Sequence, residues 1–265
     1  MKKLGLVLGS GGARGVAHIG FLKALEDAGI KPDYISGCSM GAVVGGCYAT
    51  GMDADAMMGE VSALSATDIL DPSINPIMDG AVFRAKKMRR KLKEYLKDYT
   101  FNDLKIPFCC VATNMITGET ETFDGDHLVC DCVTASATIP GVFKPVEIDG
   151  GLFLDGGLKC RLPIQQVRDM GADVVVVLDV LGDVYPEEKR HSILTVLFRA
   201  FDIMDAELSK YQVAELQPDL YLAPRMEGVK MYKFNAFEQS YQEGYDIGKS
   251  HTDKIKELLN SKTKK

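Results

Sequence analysis

The chain opens on an unbroken apolar run, Leu4 to Leu8, that ends in a cluster of glycines. That is the pattern of a strand buried on both faces and followed by a tight loop. Apolar residues then recur at helical spacing, at Val16, Ile19, Leu22, Ala24 and Leu25, until Gly29 and Pro32 close the segment. Residues 33 to 36 read as a second short strand, Gly37 to Gly41 as a turn, and 42 to 50 as a helix of small residues able to lie close on a sheet. Strand, loop, helix, strand, turn, helix is the order of right-handed βαβ units. The expected fold class is therefore α/β, a three-layer α/β/α sandwich with a mainly parallel central sheet.

Asp53 is placed to cap a further helix, and residues 71 to 80, rich in Pro, Asn and Asp, read as a surface connection. Between 84 and 99, Met88, Leu92, Tyr95, Leu96 and Tyr99 keep helical spacing while Lys86, Lys87, Arg89, Arg90, Lys91 and Lys93 crowd the remaining positions. This predicts an amphipathic, locally basic helix. Residues 106 to 113 read as a buried strand, Thr117-Gly118-Glu119 as the turn into a strand over 120 to 123, and Val174 to Leu178 as the clearest strand of all. Beyond Gly182 the pattern is mainly helical, with a long segment over 192 to 216, a short strand over 220 to 222 and a closing helix through Leu259. With no repeat or linker, the expectation is one domain over 1–265, its motif-bearing core spanning about 3–180 and a helical C-terminal extension about 183–265.

Composition narrows the functional classes. The chain is 46% hydrophobic and 26% charged, as globular proteins are, and its formal charge of −6 argues against a nucleic-acid partner. Seven cysteines, two of them the adjacent pair Cys109-Cys110, suit buried thiols in a reducing compartment. His127, Cys130 and Cys132 lack the paired spacing of a structural zinc site, so neither metal nor cofactor is expected. The first apolar run is too short for a signal segment and no stretch is long enough to span a membrane, which points to the cytoplasm.

Three motifs carry chemistry. Gly37-Cys38-Ser39-Met40-Gly41 is a GxSxG pattern between a predicted strand and a predicted helix, the setting in which a sharp turn exposes a nucleophilic hydroxyl. Gly9-Ser10-Gly11-Gly12-Ala13-Arg14-Gly15 is a loop of small residues whose backbone N–H groups can converge on a developing oxyanion. A nucleotide loop fits it less well: the P-loop lysine is missing, and Arg14 stands where a dinucleotide fingerprint needs its third glycine. The third motif, Leu154-Asp155-Gly156-Gly157, would alone be a turn aspartate, but Ser39 needs a proton acceptor and His127, His191 and His251 lie in no motif. His18, one turn after Arg14, is the rival and reads better as a packing histidine.

In this order the blocks resemble the patatin-like phospholipase family, and Ser136-Ala137-Thr138-Ile139-Pro140-Gly141-Val142-Phe143-Lys144-Pro145 resembles the block that family carries shortly before its aspartate. The resemblance implies a lipid acyl hydrolase in which Ser39 attacks an ester carbonyl and Asp155 accepts its proton. Gly11, Gly12 and Ala13 would form the oxyanion hole, with Gly9, Ser10, Arg14 and Gly15 supporting that loop. Gly37, Cys38, Met40 and Gly41 would form the nucleophile elbow, and Gly156 and Gly157 the aspartate loop. One departure stands out: where family members commonly carry an asparagine before a proline, this chain has Arg161 before Leu162-Pro163. An aspartate ionising near its ordinary ~3.9 is a weak base for a serine, so proton transfer would have to be concerted with attack. The implied partner is a lipid or other ester. The basic helix offers peripheral membrane contact, against the plainer reading of a solvated face, and the helical tail offers a surface for a homo-oligomer. A non-catalytic lipid- or protein-binding regulator that keeps the fold is the alternative from a different class.

Overall fold

The structure is a computed structural model that describes residues 2–182, 184, 192–229 and 236–261. His191 and parts of the expected C-terminal extension lie outside the described residues. The helices are α1 (Val16–Asp27), α2 (Met40–Ala49), α3 (Ala54–Ala63), α4 (Ala66–Ile69), α5 (Pro76–Asp79), α6 (Lys86–Leu96), α7 (Val129–Ser136), α8 (Ile164–Asp169), α9 (Ile193–Leu216) and α10 (Phe237–Asn260). The strands are β1 (Leu4–Leu8), β2 (Tyr34–Cys38), β3 (Phe108–Asn114), β4 (Thr120–Phe123), β5 (Val146–Ile148), β6 (Gly151–Asp155), β7 (Val174–Leu178) and β8 (Leu220–Leu222).

All eight strands form one sheet in the order β5-β6-β3-β2-β1-β7-β8, with β4 also paired to β3. β3, β2, β1, β7 and β8 are mutually parallel, and β4, β5 and β6 are antiparallel to their partners. The two-sided burial expected of β1 arises from alternation. Leu4, Leu6 and Leu8 join the large core that includes residues of α1, α2, α6 and α7. Val7 turns the other way with Val175 and Val177, onto Ile164 and Val167 of α8 and Val213 and Leu216 of α9. Helices thus cover both faces, giving the three layers the pattern implied. α10 lies along α1 and contributes Ile255 to the large core.

Several boundaries differ from the sequence expectation. Gly37 and Cys38 belong to β2, and Met40 and Gly41 to α2, so the expected five-residue turn contracts to Ser39 alone. The basic helix stops at Leu96 instead of running to Tyr99, because Lys97 takes a positive φ of 50° that cannot continue it. The connection over 71 to 80 carries a helical turn of its own, α5, with the Asn75 side chain accepting the Met78 N–H. β3 starts two residues later than expected, at Phe108.

Candidate active site

Strand register brings the candidate nucleophile and base together. Cys110 and Val111 of β3 pair with β2 on one edge and β4 on the other, while Ala112 and Thr113 pair with β4 and β6. A strand has only two edges, so β6 must follow β2 along the same edge of β3, running in the opposite direction. Their C-terminal ends meet: Cys38 lies opposite Val111 and Asp155 opposite Ala112. The next residue after β2 is Ser39, and its hydroxyl donates to Asp155 Oδ2 at 2.6 Å.

Ser39 caps α2 with φ 54° and ψ −121°, a conformation that costs a residue with a Cβ about 1–3 kcal/mol. Neighbouring contacts hold it there. The Ser39 N–H donates to Ser136 Oγ at 2.9 Å, and Ser136 Oγ–H donates onward to the Val111 carbonyl at 2.7 Å. Gly41 lies so close to β1 that a Cβ would come within 2.0 Å of the Leu8 carbonyl oxygen, so the elbow could not pack with any larger residue. Ser39 is only 3% exposed.

Asp155 is buried and doubly bonded. Oδ2 accepts from Ser39 and Oδ1 accepts the Gly157 N–H at 2.8 Å, the first turn after β6 supplying the donor. Burial pushes its pKa up to about 6, partly opposed by the hydrogen bonds from Ser39 and Gly157 and by the positive field of Arg161. This corrects the expectation of an ordinary carboxylate: desolvation makes Asp155 a better base than its residue type implies. Cys38 faces the same carboxylate through Sγ, and its burial holds the thiol well above the usual range, so it remains uncharged. His18 is fully buried with its ring on the Gly9 carbonyl at 2.8 Å, and burial lowers its pKa to about 4. It is a neutral packing residue that braces the loop.

The glycine-rich loop leaves β1 and enters a 3-10 turn over Gly12–Gly15 before α1 begins. Gly12 has φ 54°, and among the described residues the N–H groups of Gly11, Gly12 and Ala13 show no hydrogen-bond partner. They are the orphan donors of a helix start, beside Ser39. Gly9 and Ser10 are tied down: their N–H groups donate to the carbonyls of Leu178 and Arg161. Arg14, whose contacts the sequence left open, donates to the Val229 carbonyl and makes a two-pronged ion pair with Asp202 at 2.9 and 3.2 Å. Gly15 ends the turn against Met40. Gly156 and Gly157 form the turn after Asp155.

Arg161, the departure from the family pattern, is wholly buried. Its Nη2 donates to the Ser10 carbonyl at 2.6 Å and to Asp179 Oδ1 at 3.1 Å, and its Nε lies 3.8 Å from Asp205. It braces the glycine loop instead of the aspartate loop. The sequence singles out none of Asp179, Asp202 and Asp205, and it names Ser136 within the resembling block with no role of its own. Asp205 lines a small pocket of about 30 Å³ together with Ser39, Asp155, Ser10 and Gly12. Burial pushes its pKa to about 7, opposed by Arg161 and reinforced by Asp155, Asp202 and Asp179.

On the other side of Ser39 opens an apolar cavity of about 450 Å³ between α1, α2, α3, α6 and the segment over 137 to 143. Val16, Ile19, Val44, Leu92, Phe143 and Phe198 are among its walls. Ser39 and Gly12 border both spaces, so the hydroxyl sits at the seam between a polar pocket and a hydrophobic one.

A three-layer α/β protein with a buried serine at a strand–helix elbow, hydrogen-bonded to a carboxylate and flanked by a glycine loop, has the site architecture of a serine-type hydrolase. The chain belongs to the patatin-like phospholipase family, whose model matches residues 6–168. It is 28% identical over 287 aligned residues to lysophospholipase nte1 of Aspergillus fumigatus, covering 96% of this chain and 18% of that protein. It is 36% identical to an uncharacterized NTE family protein of Mycobacterium tuberculosis, over 68% of this chain and 49% of the other. The chain therefore spans less than half the length of these relatives. The crystal structure of VipD from Legionella pneumophila has the same fold at 16% identity, with a TM-score of 0.58 over 96% of this chain and 67% of that one.

Proposed function

We propose that the chain is a lipid acyl hydrolase that cleaves phospholipid or lysophospholipid esters through a Ser39–Asp155 dyad. The observation that carries this reading is the 2.6 Å Ser39–Asp155 hydrogen bond at the seam between the polar pocket and the 450 Å³ apolar cavity. A cavity of this size and lining suits an acyl chain, and the polar side is left for the alcohol.

Ser39 Oγ attacks the ester carbonyl as its proton passes to Asp155 Oδ2. The negative charge that develops on the carbonyl oxygen is met by the N–H groups of Gly11, Gly12 and Ala13, each such donor being worth roughly 2.7–4 kcal/mol. Collapse expels the alkoxide, which takes the proton from Asp155 and leaves as the alcohol. Water then attacks the acyl-enzyme, giving a proton to Asp155, and collapse releases the carboxylic acid as Asp155 returns that proton to Ser39 Oγ. A base ionising at about 6 is mostly deprotonated at neutral pH and still basic enough to take part.

The family membership and the nte1 relative support the lipid-hydrolase reading, and among the described residues no helix is long and apolar enough to cross a membrane. Seven cysteines, all unpaired and buried, favour a reducing compartment such as the cytoplasm. We also propose that residues 1–265 work as one domain, because Arg14 and Arg161 link the glycine loop to Asp202 and Asp205 of α9. The test is product analysis after incubation with mixed phospholipid and lysophospholipid. Free fatty acid should appear with the wild type and not with Ser39→Ala. Equal release by both contradicts Ser39 as the nucleophile, and none by the wild type contradicts the proposal and favours a lipid-binding regulator.

A further inference from the structure

Three large apolar side chains stand almost fully in solvent on a single turn: Ile74, Ile77 and Met78 are 87%, 92% and 81% exposed. They sit on α5 and the loop before it, a segment that is well braced. Asn75 caps the turn, Gly80 closes it, Ser73 Oγ–H donates to Asp79, and Lys144 pairs with the same Asp79 at 2.7 Å. The exposed tip is thus a built projection whose apolar residues have no internal partner. Scattered single apolar residues on a surface are ordinary, whereas three clustered on one turn form the kind of patch that marks an interaction site.

The projection is joined to the candidate active site by backbone pairing. Ser73 N–H donates to Val82, Val82 N–H to the Gly141 carbonyl, Phe83 N–H to Val142, and Lys144 N–H to Phe83. The segment it grips, Gly141 to Lys144, directly follows Ile139 and Pro140, which line the pocket holding Ser39 and Asp155, while Phe83 and Phe143 wall the apolar cavity. The tip is thus tied by backbone pairing to residues that wall both spaces. Charge identifies the occupant. Of the seven basic residues from Arg84 to Lys93, Arg84, Arg89, Lys91 and Lys93 pair with Asp71, Asp131, Glu94 and Asp98, while Lys86, Lys87 and Arg90 show no ion pair among the described residues, in a protein whose formal charge is −6. An apolar tip followed directly by a basic helix matches the two layers of an anionic bilayer surface.

We infer that α5 is a membrane anchor: Ile74, Ile77 and Met78 enter the acyl layer of an anionic bilayer while Lys86 and Arg90 on α6 meet its headgroups, placing the mouth of the Ser39 site at the lipid surface. The binding itself needs no catalysis, and the inference rests on the lipid-hydrolase reading only for the substrate thus delivered. For membrane contact the sequence offered the basic helix, against the plainer reading of a solvated face; the apolar tip ahead of it is the inserting element.

The test is flotation of the full chain with vesicles of equal parts phosphatidylcholine and phosphatidylglycerol, alongside hydrolysis of soluble p-nitrophenyl butyrate. The wild type should float, and Ile77→Ser and Met78→Ser should each weaken binding about tenfold, the ordinary effect of losing one buried large apolar side chain. Lys86→Glu with Arg90→Glu should weaken it comparably and abolish the preference over pure phosphatidylcholine. Butyrate turnover should not change in any of these variants. A wild type that does not float, or serine variants that float as well as it does, overturns the anchor even if the butyrate is hydrolysed. Flotation lost in the variants without any butyrate turnover sustains the anchor and removes the hydrolase reading. If size-exclusion chromatography shows a wild-type dimer that Ile77→Ser splits, and vesicles bind neither form, the tip is a self-contact and the inference falls.

Discussion

Asp155→Asn should make the protein more stable and nearly inactive. In the folded chain burial moves the ionisation of Asp155 from the ordinary 3.8 to about 6. Below about pH 4 the carboxyl is protonated in both folded and unfolded chains and contributes no pH dependence. As the pH rises through the interval between the two values, the unfolded chain releases its proton first, so folding loses stability. By pH 7 the buried charge costs about 3 kcal/mol. Asparagine keeps the shape and an oxygen for the Gly157 N–H but carries no charge. Urea unfolding of the two proteins should therefore show the variant stabilised by up to about 3 kcal/mol at neutral pH, the gain vanishing as the pH falls below 4. Ester turnover should meanwhile drop about a hundred- to ten-thousandfold, the usual contribution of a general base. A variant less stable than the wild type at pH 7, or a gain that persists unchanged at acid pH, would refute the reasoning.

Three further outcomes follow from the same geometry. kcat/KM on a soluble ester should rise with pH through about 6 and then level as Asp155 loses its proton; a flat profile across that range assigns the base elsewhere. Arg161→Met leaves Asp179, itself fully buried, without its cation, and should cost about 3–5 kcal/mol in denaturant unfolding, much of it recovered by adding Asp179→Asn. A neutral single substitution would show that the pair does not brace the loop. Val44→Phe fills part of the apolar cavity and should raise KM for long-chain nitrophenyl esters about tenfold while sparing the butyrate, each excluded methylene being worth roughly 0.8 kcal/mol; equal effects on both substrates would move the acyl chain out of that cavity.

The parts of the site legible in the sequence were those whose chemistry is local. A glycine loop after an apolar run, a serine between glycines and an aspartate before two glycines each announce a turn, and α/β alternation places those turns at strand ends. What brings them together is not local. The meeting of Ser39 and Asp155 depends on β6 sharing an edge of β3 with β2, a register no periodicity encodes. Ser136 lay within a motif read for its resemblance, yet its hydroxyl links Ser39, 97 residues away, to the Val111 carbonyl, 25 residues away. Arg161 and Arg14 are explained by partners distant in sequence, among them the carboxylates of Asp179 and Asp202, 18 and 188 residues away. One signal was present and unread. Along α9, Phe198, Asp202, Ala206 and Ser209 follow a buried stripe, so a carboxylate there required a buried cation.

The central claim is that Ser39 is the nucleophile, and covalent capture tests it most directly. After incubation with a fluorophosphonate, intact-mass measurement and peptide mapping should find one phosphonyl group, on the Ser39 hydroxyl, formed by the wild type and absent from Ser39→Ala. A wild type that captures no label, or one that carries it on another residue, would contradict the account.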